Sequence, residues 1–86
     1  MEFEWNPAKN ARNIRERGMS FEVAIHALQH ILENKVDNRH EYGETRMIAK
    51  CLYYKTIVIV VYTMRSDDCF RIISVRRANK REKRGL

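Results

Sequence analysis

The hydrophobic and polar positions in the first half of the chain predict two helices. Asn6 and Pro7 suit a helix start, since Asn caps free backbone N–H groups and Pro fits the first helical position. Gly18 supplies a C-terminal stop, so the first helix is expected at about residues 7–17. A second helix is predicted to begin at Ser20 as its cap. Its apolar stripe, with i, i+3, i+4, i+7 spacing, consists of Phe21, Ala24, Ile25, Leu28, Ile31 and Leu32.

Strand-like patterns flank these helices. The alternation of acidic and aromatic residues from Glu2 to Trp5 predicts a short N-terminal strand. Residues 34–44 are polar and indicate a connection, with room for a short extended piece. Three strand-like runs follow at residues 45–53, 56–64 and 69–76, and the short turns between them predict an antiparallel meander. The run 56–64 is apolar on both faces, which places it in the middle of the sheet.

The predicted fold class is therefore α+β. One antiparallel sheet of about four strands carries the two helices, and a short basic helix follows Ala78. The 86 residues, 44% of them hydrophobic, suffice for one domain spanning residues 1–86.

Cysteine spacing and hydropathy predict a cytoplasmic protein. Cys51 and Cys69 lack CxxC spacing and are expected to be buried free thiols in a reducing compartment. The longest apolar run, residues 57–62, is far shorter than a membrane span needs, and the first residues lack an apolar signal region. No cofactor is predicted.

All of the formal net charge of +6 lies in the last sixteen residues. Before Arg71 the chain balances, with ten Lys and Arg against ten Asp and Glu. Clustered cations attract polyanions, so nucleic acid is the first partner to consider, and an acidic protein partner is the alternative. The cluster contains the single acid Glu82 among Arg71, Arg76, Arg77, Lys80, Arg81, Lys83 and Arg84.

The arginines form the best candidate constellation for chemistry on a nucleic-acid phosphate. A guanidinium presents a planar fork to phosphate oxygens and stabilises an anionic transition state. Arg65, at the end of the central strand, and Arg77, at the end of the last strand, are the candidate catalytic arginines. Strand alternation places Arg71 and Arg77 on one face and Arg76 on the other, unless the strand ends or bulges near Arg76. The alternative for Arg65 and Arg71 is pairing with acids across the sheet.

If the nucleic acid is RNA, its metal-free cleavage also requires a base for the 2′-OH proton and an acid for the leaving 5′-oxygen. His40, in the polar connection, is the candidate histidine, although a loop histidine can simply be solvated. Glu82 is the candidate carboxylate, either as a base or as a group that orients an arginine. Its alternative role is an ion pair near Arg81 or Arg84.

No metal site is predicted. His26 and His30 lie four residues apart, on a helix face expected to be solvated, and no third ligand is evident. Asp67 and Asp68 would point apart in an extended segment, which argues against a two-metal carboxylate site.

The remaining cations are predicted to hold RNA through its phosphates without reading bases. The RNA-binding set is Arg46, Arg71, Arg76, Lys80, Arg81, Lys83 and Arg84.

Five sequence stretches occur together: FEWNPAKNARN, RGMSFEVA, YGETR, VVYTMR and RIISVRRANKRE. In this order they resemble the BrnT family of type II toxin–antitoxin toxins over nearly the whole chain. The resemblance implies a RelE-like fold and a ribosome-independent endoribonuclease that inhibits translation and growth. It also implies a BrnA-like antitoxin, a heterotetramer of two toxins and two antitoxins, and contact with operator DNA only through the antitoxin.

Two positions depart from the family pattern. Arg17-Gly18 stands where His-Gly is common, and KRGL stands where the family usually continues to a Tyr. These departures leave a second hypothesis, a catalytically weak or inactive module that binds nucleic acid or antitoxin in operon autoregulation.

Overall fold

The computed structural model describes residues 1–39 and 41–84. His40, a candidate catalytic residue, lies outside the described residues. In chain order the elements are β1 (Glu2–Glu4), α1 (Pro7–Arg17), α2 (Val23–Ala27), β2 (Ile31–Val36), β3 (Met47–Tyr53), β4 (Thr56–Ser66) and β5 (Cys69–Arg77).

The strands form one mixed sheet in the order β1-β5-β4-β3-β2. The antiparallel meander of β3, β4 and β5 is confirmed, with β4 in the middle. The expectation of an all-antiparallel sheet of about four strands is wrong on two counts. β1 pairs with β5 in parallel, because the chain crosses over through the helices before it returns to the sheet, and β2 adds a fifth strand.

The second helix is shorter than its hydrophobic stripe predicted. α2 ends at Ala27, and Ile31 and Leu32 lie in β2 with 39% and 49% of their surface exposed. Of the stripe, Phe21, Ala24 and Leu28 are buried, whereas Ile25 is 38% exposed. After Leu28 the chain turns and pairs with β3 through its backbone. All six β2 positions are exposed, so no alternation of buried and exposed residues marked this strand in the sequence.

The hydrophobic core lies between one face of the sheet and the helices. Phe21 from the segment before α2 packs edge-on to Trp5 with ring centroids 6.2 Å apart. Burial in this layer raises the pKa of the Cys51 thiol to about 12. The largest fully buried side chains are Phe21, Cys51, Val58, Val60, Ile72 and Val75.

The segment after β5 forms hydrogen-bonded turns over its described residues, where a short basic helix was expected. The backbone N–H of Asn79 donates to Glu82 Oε1, and the N–H of Glu82 donates to Asn79 Oδ1, each at 2.9 Å. This reciprocal pair is the geometry of a capping box. The described chain therefore reaches Arg84 as a capped turn that returns toward the sheet.

Helix α1 has the boundaries that its capping residues predicted. Asn6 Oδ1 accepts hydrogen bonds from the N–H groups of Ala8 and Lys9 at 2.8 and 3.3 Å. At the other end Gly18 adopts φ 68° and its N–H donates to Ile14 O at 2.9 Å. A left-handed residue at this position closes a helix with little strain only when it is Gly.

Asn13 joins α1 to the outer edge of β5. Its side chain is buried, and Nδ2 donates to the carbonyls of Met19 and Val75, both at 2.8 Å. Oδ1 accepts from the Val75 N–H at 3.5 Å. β1 pairs with β5 only at residues 69–71, so at Val75 the amide of Asn13 takes the place of a neighbouring strand.

We expect Asn13→Ala to lower the free energy of unfolding by about 2–3 kcal/mol, because it leaves buried carbonyls without donors. Asn13→Asp keeps the shape but removes the Nδ2 donor, so it should cost at least as much. Urea unfolding measures both, with the exposed Arg15→Ala on the same helix as a control expected within about 0.5 kcal/mol of the parent. A cost below about 0.5 kcal/mol for both Asn13 variants would contradict the hydrogen-bonding role.

Candidate functional site

The face of the sheet opposite the core is open and carries cations. We call it the open face; its side chains include Lys35, Ile48, Lys50, Ile59, Val61, Ser74 and Arg76. Two hollows of about 310 Å³ each lie on it. The first hollow reaches α1, the second reaches Glu82, and both are lined by Arg17, Arg39, Val61 and Ser74. The hollows therefore adjoin and form one groove.

A bulge in β5 decides which arginines reach the open face. Val61 pairs with Ser74 and Tyr62 pairs with Ile72, so Ile73 is an extra residue in the strand. The extra residue shifts the alternation, and Ile72 and Val75 are both buried in the core as a result.

The bulge overturns the predicted grouping of the β5 arginines. Arg71 lies opposite Thr63 and Arg76 opposite Ile59, two alternate positions on the same side of β4, so Arg71 and Arg76 share the open face. Arg77 lies opposite the buried Val58 and points to the other side of the sheet. Strict alternation would have grouped Arg71 with Arg77 instead.

Glu82 fixes Arg76 at the second hollow. Nη1 and Nη2 of Arg76 donate to Oε1 and Oε2 of Glu82, both at 2.7 Å. These bonds are the main cause that lowers the pKa of Glu82 to about 2 and raises the pKa of Arg76. A carboxylate with so low a pKa is a poor base near neutral pH. Its geometry is that of a residue that positions Arg76. The ion pair that was expected near Arg81 or Arg84 is formed with Arg76 instead.

Asp37 holds a second arginine in the same way. Its side chain is fully buried, and Arg39 Nε and Nη2 donate to Oδ1 and Oδ2 at 2.8 Å each. The backbone N–H of Arg39 and the hydroxyl of Tyr42 also donate to this carboxylate, at 3.1 Å each. The bonds from Arg39 are the largest cause that holds the pKa of Asp37 well below its usual range. The Arg39 side chain stays 63% exposed and borders both hollows.

Arg46, from the YGETR stretch, extends this network into the first hollow. Its guanidinium carbon lies 4.0 Å from the centroid of the Tyr42 ring, a cation–π contact. Within residues 1–39 and 41–84, its buried Nε has no hydrogen-bond partner. Arg46 also lines the first hollow, so its guanidinium adds a cation to the groove.

Helix α1 supplies cations that the sequence reasoning did not include. Lys9, Arg12 and Arg17 line the first hollow, together with the acid Glu16. Lys9, Arg12 and Glu16 are spaced i, i+3, i+7, which places them on one face of a helix, and that spacing was the available signal. Lys35, Arg39 and Lys50 were missed as well, because the charge of their region cancels in the sequence.

The structure does not bring the two candidate catalytic arginines together. Arg65 is exposed at the far end of β4, and its charge helps lower the pKa of Glu4, which pairs with Arg71. Arg77 lies opposite Val58, near the other end of β4. At about 3.3 Å per strand residue, Arg65 and Arg77 are roughly 20 Å apart. Glu82 and Arg76 lie near the Arg77 end.

The remaining predicted residues divide between groove and periphery. Arg81 lines a further hollow of about 230 Å³ with Lys35, Lys50 and Glu82, which continues the groove. Lys80, Lys83 and Arg84 are exposed in the terminal turns.

The ring of His26 stacks on the ring of Tyr54, with centroids 4.6 Å apart and planes at 7°. No group of three His, Cys, Asp or Glu side chains with metal-site geometry occurs in the described ranges.

The comparison with protein families identifies the chain. The family model of BrnT, the ribonuclease toxin of a type II toxin–antitoxin system, matches residues 5–82. The chain belongs to the BrnT family. The fold is also similar to the crystal structure of the Brucella abortus ribonuclease toxin BrnT, with a TM-score of 0.70 and 22% identity. That match covers 93% of this chain and 99% of the Brucella chain.

Two further findings complete the comparison. Curated proteins gave no significant sequence match. In the described part of this BrnT-family chain, no helix has the length and hydrophobicity to cross a membrane.

We expect Glu82→Gln to destabilise the protein by about 2 kcal/mol at neutral pH, allowing for partial solvent screening of the Arg76 pair. The folded pKa of Glu82 is about 2 against an ordinary 4.5, so its contribution is complete above about pH 4.5 and is lost as pH falls through about 2. The difference in urea midpoint between parent and variant should therefore shrink over this window.

Glu33→Gln is the matched control for this experiment. Glu33 also borders the groove and forms no ion pair within the described chain. A pH-independent gap between the parent and Glu82→Gln, or an equal effect of Glu33→Gln, would contradict the linkage to Arg76.

Proposed function

We propose that this chain is a metal-independent endoribonuclease that binds single-stranded RNA along the groove of the open face. The observation that carries the proposal is a pair of arginines, each held by its own carboxylate and both bordering the second hollow. The pKa of Arg76 is raised overall, chiefly by its hydrogen bonds to Glu82, and the nearby charge of Arg39 acts against that rise, so the two guanidiniums repel one another. A phosphate placed between them would relieve that repulsion and accept bonds from both.

The chemistry of this proposal is attack of the RNA 2′-oxygen on the neighbouring phosphorus. The bond to the 5′-oxygen breaks, which leaves a 2′,3′-cyclic phosphate and a 5′-hydroxyl. Negative charge accumulates on the non-bridging oxygens, where Arg76 and Arg39 are oriented before the substrate binds. Lys35 and Arg17 add charge to the same hollow. The arginines thereby supply the stabilisation for which a metal would otherwise serve.

The base and the acid are assigned only as a sequence-based prediction. His40 follows Arg39 in the chain and stays the candidate for one of the two proton transfers. Glu82 is removed from that role by its low pKa and becomes the residue that positions Arg76. Arg65 and Arg77 stay as the competing assignment, which the cleavage experiment below separates.

The proposed partner is a BrnA-like antitoxin, in a complex of two toxins and two antitoxins in the cytoplasm. Family membership supports an antitoxin, and the cationic groove favours an acidic segment of that protein as the part that covers the site. Contact with operator DNA is assigned to the antitoxin. The toxin would then inhibit translation and growth only when released.

The second candidate function is an inactive module that binds nucleic acid or antitoxin. One observation favours it: Glu82, the carboxylate that lines the second hollow, has a lowered pKa that makes it a weak base. Binding needs only the cations, whereas cleavage needs a proton acceptor as well.

We expect Arg76→Ala to reduce the rate of RNA cleavage by about 100-fold or more, and Arg39→Ala by at least about tenfold. The assay uses purified protein, a synthetic single-stranded RNA and EDTA, with mass spectrometry of the products to detect the cyclic phosphate. Arg15→Ala, exposed on α1 outside both hollows, is the control for a lost surface cation.

The same panel discriminates the competing readings. Loss of cleavage in Arg65→Ala or Arg77→Ala with retention in Arg76→Ala would overturn the assignment to the groove. RNA binding without cleavage by the parent protein would favour the inactive module. A requirement for added divalent metal would contradict the metal-independent chemistry, and His40→Ala tests the remaining histidine.

For the antitoxin, we expect native mass spectrometry of the co-expressed pair to give two copies of each chain. Binding of the antitoxin should also block crosslinking of RNA to the groove, since the same cations are engaged. A complex that leaves RNA binding intact would contradict coverage of the groove.

A further inference from the structure

We propose that the free edge of β2 is a pairing surface for a second copy of this chain. β2 is the last strand of the sheet, and every one of its six residues is exposed. Leu32 and Val36 have 49% and 48% of their surface exposed. An uncovered edge with apolar side chains is a template for another strand.

The hydrogen-bonding pattern shows which backbone groups face outward. The N–H of Asp37 donates to the carbonyl of Arg46 in β3, at 2.8 Å. In an antiparallel pair every second residue bonds the same neighbour, so Glu33 and Lys35 also direct their backbone groups at β3. Asn34 and Val36 then direct their N–H and carbonyl groups to the free edge.

The side chains of β2 are complementary to themselves in one register. A two-fold axis through Asn34 makes Asn34 pair with its own copy and exchange two backbone hydrogen bonds with it. The same axis sets Glu33 opposite Lys35 of the second copy, and Leu32 opposite Val36 of the second copy. The Glu33–Lys35 pair falls at the non-hydrogen-bonded position, where side chains across the strands are closest.

Existing contacts fit this register. Asn34 Nδ2 already donates to the Tyr62 hydroxyl at 2.9 Å, so its side chain is fixed and only its backbone is needed at the edge. The irregularity between Ile31 and Glu33 limits the regular ladder to residues 32–36. So short a ladder buries less surface than a stable interface needs and predicts a weak dimer.

A charge swap tests the register. Glu33→Lys and Lys35→Glu each convert both cross-strand pairs into like-charge pairs, so either alone should weaken self-association by about tenfold. The double variant Glu33→Lys with Lys35→Glu restores opposite charges across the axis and should recover association. Sedimentation equilibrium up to about millimolar protein at low salt measures each variant, and circular dichroism checks that each is folded.

Several outcomes would overturn the proposal. A parent protein that stays monomeric over the whole range has no such surface. Single variants that associate as well as the parent, or a double variant as weak as the singles, exclude this register. Single variants that leave self-association unchanged but reduce binding of the co-expressed antitoxin would assign the edge to an antitoxin strand. Recovery of association only in the double variant is the result that the proposal requires.

Discussion

The geometry of the groove depends on the buried amide of Asn13. Its three hydrogen bonds satisfy the outer edge of β5 where β1 no longer reaches, and they tie that edge to the carbonyl of Met19 after α1. A helix held only by apolar contacts can shift along a sheet, whereas an amide that donates to two carbonyls fixes the helix in one position. Because α1 is fixed, Lys9, Arg12 and Arg17 border the open face.

Two carboxylates, those of Asp37 and Glu82, fix the positions of Arg39 and Arg76. Burying these carboxylates carries a desolvation free energy, and the hydrogen bonds that they accept from the arginines offset it. The guanidiniums keep donors free for a ligand, and an anion bound between them would offset their mutual repulsion. This arrangement places the charge before the substrate arrives, so binding involves little reorganisation.

The elements that the sequence predicted well are those with local signals. Asn6, Pro7 and Gly18 defined α1 through capping, and the long apolar run of β4 placed that strand in the middle of the sheet. β2 was missed because its pairing is through the backbone and all its side chains are exposed. The bulge at Ile73 has no mark in composition, yet it reassigns Arg76 to the face that Arg71 occupies.

Only part of the candidate site could be predicted from the sequence, because the fold brings together cations whose charges cancel with nearby acids along the chain. Residues 1–70 are neutral in sum, and that sum hid the cations of α1, β2 and β3. The fold buries Asp37 beneath Arg39, so one face keeps an excess of positive charge although the sequence around it is balanced. The terminal cluster contributes Arg71, Arg76 and Arg81 to that face, and its single acid, Glu82, fixes Arg76. The net charge of the sequence therefore predicts the sign of the partner's charge but not the surface that binds it. That surface depends on which acidic side chains the fold pairs internally with cations.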